Sequence, residues 1–180
     1  MVASEQAADQ EWVRQEIAAA LKAHRRKATI VAFSGDMDKL FAALTIAAGA
    51  AASGLETTVF FTFWGLAALR VPARARKNKS WLDGMLGKMI PAGCGGLPVS
   101  AMNFGGAGAG FFRWLMRRRN VQSVAEIMAD AQELGVRMVA CQMSLGVLGL
   151  DRDELMEGIA IGGVATYLAD AAESTVTLFV

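Results

Sequence analysis

The sequence is poor in the residues that bind metals or cross-link chains. Its 180 residues include two cysteines, Cys94 and Cys141, and a single histidine, His24. A thiolate–imidazole metal site needs about four such ligands, so we expect no site of this kind. Two cysteines without an export signal predict free thiols rather than a disulfide framework. His24 lies in the basic run HRRK and is expected to be an ordinary surface residue.

Long apolar runs and a strong net charge are missing as well. The alanine-rich stretch FAALTIAAGAAASG covers only residues 41–54, whereas a membrane-spanning helix needs about 20 apolar residues. The formal net charge is +1, which argues against nucleic-acid binding. The N-terminus is polar and acidic and lacks the apolar centre of a secretory signal. These absences predict a cytoplasmic protein that binds no nucleic acid.

Positive charge is nevertheless clustered along the chain. The basic runs are 24–27, 70–79 and 117–119. One interpretation is that they are solvated ends of helices and loops. The other is a docking patch for an acidic protein, an anionic ligand or a membrane surface. If Trp64, Trp81 and Phe111 are exposed, peripheral membrane contact is an open alternative.

Strand-like and helix-like segments alternate through the sequence. The strand candidates are 27–33, 56–63, 136–141, 159–163 and 175–180. Helices between them carry start and stop signals, such as Ser123 with Glu126 as a capping box and Gly54 as a C-terminal stop. The alternation predicts a three-layer α/β/α fold with a mainly parallel sheet of about five strands, flavodoxin-like in general architecture.

The domain organisation is expected to be simple. Residues 1–26 are predicted to hold an amphipathic N-terminal helix, because 11–23 place their apolar side chains on one helical face. Residues 27–180 are predicted to form a single domain. Within it, 91–110 hold seven glycines and two of the three prolines, a composition typical of a long mobile loop. A short helix is predicted at 111–119.

Small and polar residues follow the predicted strands. Since ligands bind at the carboxyl ends of parallel strands, this edge of the sheet is the expected site. The candidate lining residues are Ser34, Gly35, Asp36, Thr62, Phe63, Trp64, Met143, Ser144, Gly162 and Gly163. Together with Cys141 they predict a pocket with an aromatic wall and one thiol.

Cys141 is the main candidate for chemistry, in the stretch VACQMSLGVLG (139–149). If a helical turn opens after it, backbone N–H groups there favour a thiolate and lower the pKa of the thiol. A thiolate attacks sulfane sulfur and holds it as a persulfide. The alternative is a buried packing residue, since free cysteine is among the most buried residue types. Cys94, in the loop segment PAGCGG, is either a resolving second thiol or an incidental surface thiol.

Nucleotide binding is a weaker hypothesis. The segment GGAGAG (105–110) follows no predicted strand and is not ended by Gly-Lys-Ser/Thr. The segment FSGDMDK (33–39) lacks the second glycine of the Ser-Gly-Gly-x-Asp loop of ATP pyrophosphatases. We therefore expect no cofactor, although a small-molecule or nucleotide-binding protein remains a third class of function.

Several blocks of sequence resemble a known family. They are VAFSGDMDK, AAGAAASGLETTVFFTFWGL, MNFGGAGAG, AQELGVRMVACQMSLGVLGL and GGVATYLADAAESTVTLFV. In this order, over about residues 28–180, they resemble the DsrE/DsrF-like family. More closely, they resemble its DsrE-like branch from bacterial sulfur-trafficking operons, often labelled peroxiredoxin family. The Pro-x-x-x-Thr/Ser-x-x-Cys arrangement of a peroxidatic thiol is absent before both cysteines.

The resemblance implies a function. It implies homo-oligomers and a persulfide-carrying cysteine that relays sulfur between a rhodanese-type donor and a TusA-like carrier, which makes the chain a sulfurtransferase or sulfur carrier. Cys141 matches the strand-end thiol of the family. The chain departs from the branch at Leu145 and Leu148, where methionine is expected. The competing hypothesis is a non-catalytic scaffold subunit in which Cys141 only packs.

Overall fold

Five strands form one sheet in the computed structural model. They are β1 (Lys27–Ala32), β2 (Glu56–Phe61), β3 (Arg137–Cys141), β4 (Ala160–Gly162) and β5 (Ser174–Phe179). The order across the sheet is β4-β3-β2-β1-β5, and every neighbouring pair is parallel. The predicted α/β fold with a parallel five-stranded sheet is confirmed.

The structure describes residues 12–16, 26–74, 85, 87 and 90–180. Residues 12–16 are helical, within the predicted N-terminal helix. The rest of that helix, His24 and Trp81 lie outside the described residues.

Helices and short 3-10 turns connect the strands. The helices are α1 (Met37–Ala52), α2 (Ala107–Arg118), α3 (Val124–Glu133), α4 (Gln142–Val147) and α5 (Val164–Ala172). The 3-10 turns are Phe63–Leu69, Pro72–Arg74, Cys94–Gly96, Phe104–Gly106 and Arg152–Glu154. The predicted capping box of Ser123 and Glu126 is present at the start of α3. Gly54 follows α1 with a φ of 82°, as its role as a helix stop requires.

The prediction of a loop over 91–110 is wrong at its end. Helix α2 begins at Ala107 rather than at Phe111. A Cβ on Gly108 would lie only 1.7 Å from the carbonyl oxygen of Met102, so the glycine allows the first turn of α2 to pack directly on the preceding chain. Ser100 also ties this segment to α1, because its backbone N–H donates a 2.9 Å hydrogen bond to Asp38 Oδ1.

Strand alternation divides the interior into two unequal clusters. The main core lies between one sheet face and helices α1 and α3, and includes Ile30, Leu44 and Met128. The other face carries a small cluster of Phe60, Val139 and Cys141, covered by Tyr167 of α5. Because successive strand residues point to opposite faces, Cys141 is turned away from the main core. No helix of the described residues is long and apolar enough to cross a membrane.

Candidate functional site

A hydrogen bond between two side chains joins the carboxyl ends of β2 and β3. Thr62 follows β2, Ser144 lies in α4 after β3, and their hydroxyl oxygens are 2.8 Å apart. Cys141 is the last residue of β3 and pairs in register with Gly162 of β4. The predicted edge therefore brings together the thiol, two hydroxyl groups and a glycine from three neighbouring strands.

Cys141 is held between the sheet and α4. It is the N-cap residue of α4, with extended backbone angles of φ −68° and ψ 115°. The residue is 5% exposed. Its neighbours in the small cluster are Val139, Phe60 and the partly buried Tyr167. The thiol thus has an apolar floor and a polar rim.

The polar rim favours the thiolate. Burial by itself raises the pKa of the Cys141 thiol, but hydrogen bonds from the side chain and backbone of Ser144, the side chain of Thr62 and the backbone of Met143 outweigh burial. The resulting pKa lies below the ordinary value for cysteine. The predicted lowering is therefore present, and the two hydroxyl groups supply much of it together with the backbone N–H groups.

Aromatic rings lie beside this edge. Phe63 contacts Phe33 with ring centroids 5.5 Å apart, and Phe33 in turn contacts Phe179 at 5.7 Å. Trp64 is 51% exposed. The turn that carries Phe63 and Trp64 packs closely against β1, because a Cβ on Gly65 would lie 2.1 Å from the carbonyl oxygen of Ala32. Phe63 and Trp64 follow β2 at this edge, and their role as an aromatic wall of a pocket stays a prediction. Phe33 and Phe179, which extend this aromatic group, were not among the predicted residues.

The residues after β1 allow a close approach of the chain at this edge, and the carboxylate among them is already bound by other side chains. Ser34 Oγ donates a 2.8 Å hydrogen bond to Asp36 Oδ2, and the same oxygen of Asp36 is 3.0 Å from Lys39 Nζ. A Cβ on Gly35 would lie 2.8 Å from the carbonyl oxygen of Trp64. Asp36 is thus engaged at the start of α1, while Gly35 allows the ends of β1 and β2 to approach.

The remaining predicted residues follow β3 and β4, at the same edge of the sheet as the thiol. Met143 follows Cys141 by two positions and is 60% exposed. Gly163 is the N-cap residue of α5. Tyr167, whose ring centroid lies 5.7 Å from that of Phe60, was missed by sequence reasoning. Its position one turn into α5 was the available signal, since a helix that covers a sheet presents residues at this spacing.

Cys94 lies in a different environment from Cys141. It packs against the main core, its thiol donates a 3.5 Å hydrogen bond to the carbonyl oxygen of Ala68, and it lines a cavity of about 290 Å³. Burial raises the pKa of the Cys94 thiol to about 11. Because Cys141 belongs to the cluster on the other sheet face, this geometry does not favour the predicted role of Cys94 as a second thiol.

Across the described ranges, no group of three or more His, Cys, Asp or Glu side chains is arranged to hold a metal ion.

One protein-family model matches most of the chain. The model of the DsrE/DsrF/DrsH-like family matches residues 24–179. The chain belongs to this family. The match begins in the basic run HRRK and includes all five strands.

Two proteins are similar over nearly their whole length. YrkE, an uncharacterized protein of Bacillus subtilis, is 46% identical over 155 residues, which cover 86% of this chain and 97% of YrkE. The sulfur carrier protein DsrE2 of Allochromatium vinosum is 29% identical over 161 residues, covering 87% of this chain and 99% of DsrE2.

Two solved structures share the fold. They are the YchN protein of E. coli and MTH1491 of Methanobacterium thermoautotrophicum, a protein of unknown function. Each has a TM-score of 0.51 and 15% identity, and each match covers 86% of this chain and 99% of the other. At this identity the likeness concerns the architecture alone.

Proposed function

We propose that the protein is a sulfane-sulfur carrier that holds sulfur as a persulfide on Cys141. The observation that carries the proposal is the thiol at the end of β3, whose pKa is lowered by hydrogen bonds from Ser144, Thr62 and Met143. Membership of the DsrE/DsrF/DrsH-like family and similarity to a protein named as a sulfur carrier support a role in sulfur trafficking.

The proposed chemistry needs no redox partner. The Cys141 thiolate attacks the outer sulfur of a donor persulfide, a new S–S bond forms on Cys141, and the donor leaves as a thiolate. An acceptor thiolate then attacks the outer sulfur of Cys141–S–SH and releases the Cys141 thiolate. The same hydrogen bonds that stabilise the thiolate before loading stabilise it again as the leaving group.

The partners proposed are a rhodanese-type donor and a TusA-like acceptor in the cytoplasm. Both transfers join thiol groups of two proteins, so each partner must bring its cysteine to this edge of the sheet, where Met143 and Trp64 are 60% and 51% exposed. Cys141 itself is 5% exposed. We therefore expect the partner cysteine to sit on a flexible segment that can reach a buried thiol.

Mass spectrometry of the intact protein after brief treatment with polysulfide tests the proposal. Wild type and Cys94→Ser should gain the mass of one sulfur, and Cys141→Ser should not. Two oxygens have almost the mass of one sulfur, so each sample is also treated with dithiothreitol. That reductant removes persulfide sulfur but leaves a sulfinate intact.

The outcomes separate the hypotheses. Loss of the gain in both variants would make Cys94 a working second thiol. Equal loading of Cys141→Ser and wild type would overturn the proposal. No gain in any of the three proteins would favour the scaffold function.

A scaffold subunit is the second candidate function, and the burial of Cys141 favours it. Helix α5 has no buried residue, with Val164 70% and Leu168 56% exposed. An uncovered apolar helix beside the site suits assembly into a homo-oligomer. Alkylation of the native protein distinguishes the candidates: a Cys141 that stays unlabelled favours the scaffold.

The domain organisation enters this proposal as well. We propose that residues 27–180 act as one domain and that residues 1–26 serve as an assembly element. Removal of residues 1–26 should then lower the oligomer mass in multi-angle light scattering while sulfur loading of Cys141 persists.

A further inference from the structure

Helix α2 and the turn before it expose large apolar side chains. Phe104 is 78% exposed, Met102 69%, Phe111 59% and Trp114 46%. The rings of Phe111 and Trp114 stack with centroids 5.7 Å apart. We call these four residues the aromatic face of α2, although one is a methionine and two lie in the turn before the helix. Contiguous exposed apolar groups of this size mark interaction surfaces rather than ordinary solvent contact.

The aromatic face is separate from the side of α2 that packs on the protein. Ala109 and Phe112 contact the main core, while Phe111 and Trp114, at helical spacing from each other, lie on the outer side. A helix at the surface of a globular protein usually has a polar outer side. Helix α2 carries two exposed aromatic rings on its outer side, and packing in the core does not account for them.

A groove continues the aromatic face towards the preceding loop. It has a volume of about 450 Å³ and is lined almost entirely by apolar atoms, including those of Val99 and Leu115. Met102 and Phe104 lie at its mouth with φ angles of 56° and 40°. Left-handed backbone at residues other than glycine is strained. Here the strained turn presents two apolar side chains to solvent.

Charge of one sign accompanies these apolar groups. Arg117, Arg118 and Arg119 end the helix and are exposed, and the guanidinium carbon of Arg118 lies 5.3 Å from the centre of the Trp114 ring. No aspartate or glutamate occurs in the sequence between Asp83 and Glu126. The segment that builds this face therefore supplies cations and no carboxylate of its own. Carboxylates of other segments lie towards the packed side of α2, where Asp38 lines a cavity with Arg119 and Glu126 lines one with Arg117.

From this combination we propose that the aromatic face of α2 binds the surface of an anionic lipid bilayer. The indole ring of Trp114 combines an apolar body with a polar N–H group and therefore suits the level of the lipid headgroups. The phenyl rings of Phe104 and Phe111 suit the apolar layer just below it. Arginine side chains extend along apolar surface and place their guanidinium groups against lipid phosphates. An anionic lipid surface is bound by apolar side chains that lie beside cations, the two features that this face combines. The proposal does not depend on the persulfide chemistry.

Flotation with lipid vesicles tests the proposal on the full chain. One set of vesicles is phosphatidylcholine alone, and in the other about a third of the lipid is phosphatidylglycerol. The protein should float with the anionic vesicles at low salt and much less with the neutral ones. The double variant Phe111→Ser/Trp114→Ser should lose most of the bound fraction, because it removes both stacked rings.

Two charge variants distinguish binding through this face from binding that depends only on the net charge of the protein. Arg118→Gln should weaken vesicle partitioning about fivefold, as expected for one cation at an anionic surface. The exposed Arg152 provides the matched control, and Arg152→Gln should bind like wild type. Circular dichroism of each variant checks that the fold is kept.

Two results would overturn the proposal. The first is failure of the wild-type chain to float with anionic vesicles, which would leave the aromatic face as a surface for a protein. The second is equal weakening by Arg118→Gln and Arg152→Gln, which would mean that binding follows net charge rather than this face.

Discussion

The hydroxyl oxygens of Thr62 and Ser144 lie 2.8 Å apart across the ends of β2 and β3, and hydrogen bonding by these side chains lowers the pKa of the Cys141 thiol. Ser144 is fully buried, so its hydroxyl group depends on these two partners. The pair links the sheet edge to the electrostatics of the thiol.

Loss of either hydroxyl group should make Cys141 less reactive. Ser144→Ala and Thr62→Val each remove a donor that favours the thiolate, so the pKa of the thiol rises. We expect roughly tenfold slower alkylation of Cys141 at neutral pH, the effect of one hydrogen bond to a charged group. The alkylation rate of Cys141 is measured by quenching the reaction at several times and analysing the peptides by mass spectrometry. Thr62→Ser keeps the hydroxyl group and should react like wild type; equal slowing by Thr62→Ser would contradict the role of the hydroxyl.

Stability should depend on Cys94 at alkaline pH. Burial raises the pKa of its thiol from 9.0 to about 11, so between these values the folded protein binds more protons than the unfolded chain. The resulting stabilisation is complete below about pH 9 and is lost as the pH rises towards 11. Denaturant unfolding should show the difference between wild type and Cys94→Ala shrinking by about 2 kcal/mol over this range. A difference that stays constant would mean that the buried thiol is not the group titrating.

Gly65 and Gly49 should respond in opposite ways to alanine. A Cβ on Gly65 would lie 2.1 Å from a backbone oxygen, whereas a Cβ on Gly49 meets no atom within 4 Å. Gly65→Ala forces the turn away from β1 and should cost at least about 2 kcal/mol. Gly49→Ala, inside α1, should stabilise by about 0.5–1 kcal/mol. Thermal unfolding measures both, and a neutral Gly65→Ala would disprove the close approach.

The buried ion pair of Arg70 and Glu154 should be more sensitive than an exposed one. Their side chains are 4% and 1% exposed with a 3.5 Å contact, and Arg70 Nη1 also donates to the carbonyl oxygen of Ile90 at 2.9 Å. Arg70→Met removes the guanidinium group beside a buried carboxylate and should cost about 3–5 kcal/mol.

The matched control for that variant is the exposed pair of Arg74 and Glu157, with side chains 44% and 87% exposed. Arg74→Gln should cost less than about 1 kcal/mol. Urea unfolding compares the two, and similar costs would mean that burial does not govern the energy of the Arg70 pair.

Several local features were predictable from sequence, because their signals lie within a few residues. The capping box joins Ser123 to Glu126, and Gly54 ends α1 through its own backbone angles. The alternation of strands with helices predicted the parallel sheet and the edge at which Thr62, Cys141 and Gly162 meet. The activity of these residues stays a prediction.

Other features depend on contacts between distant parts of the chain. Thr62 and Ser144 are 82 positions apart, so no local pattern announces their hydrogen bond. Helix α2 begins within a glycine-rich segment because Ala109 and Phe112 find partners in the main core. Cys94 is partly buried because it also packs against the main core.

The sequence by itself determined the local chemistry: the order of strands and helices along the chain, their caps and stops, and the thiol at the end of β3. Tertiary structure alone decided which groups surround each thiol, because burial and long-range hydrogen bonds arise only when the sheet is assembled. That is why Cys94 and Cys141, equivalent by composition, have pKa values shifted in opposite directions.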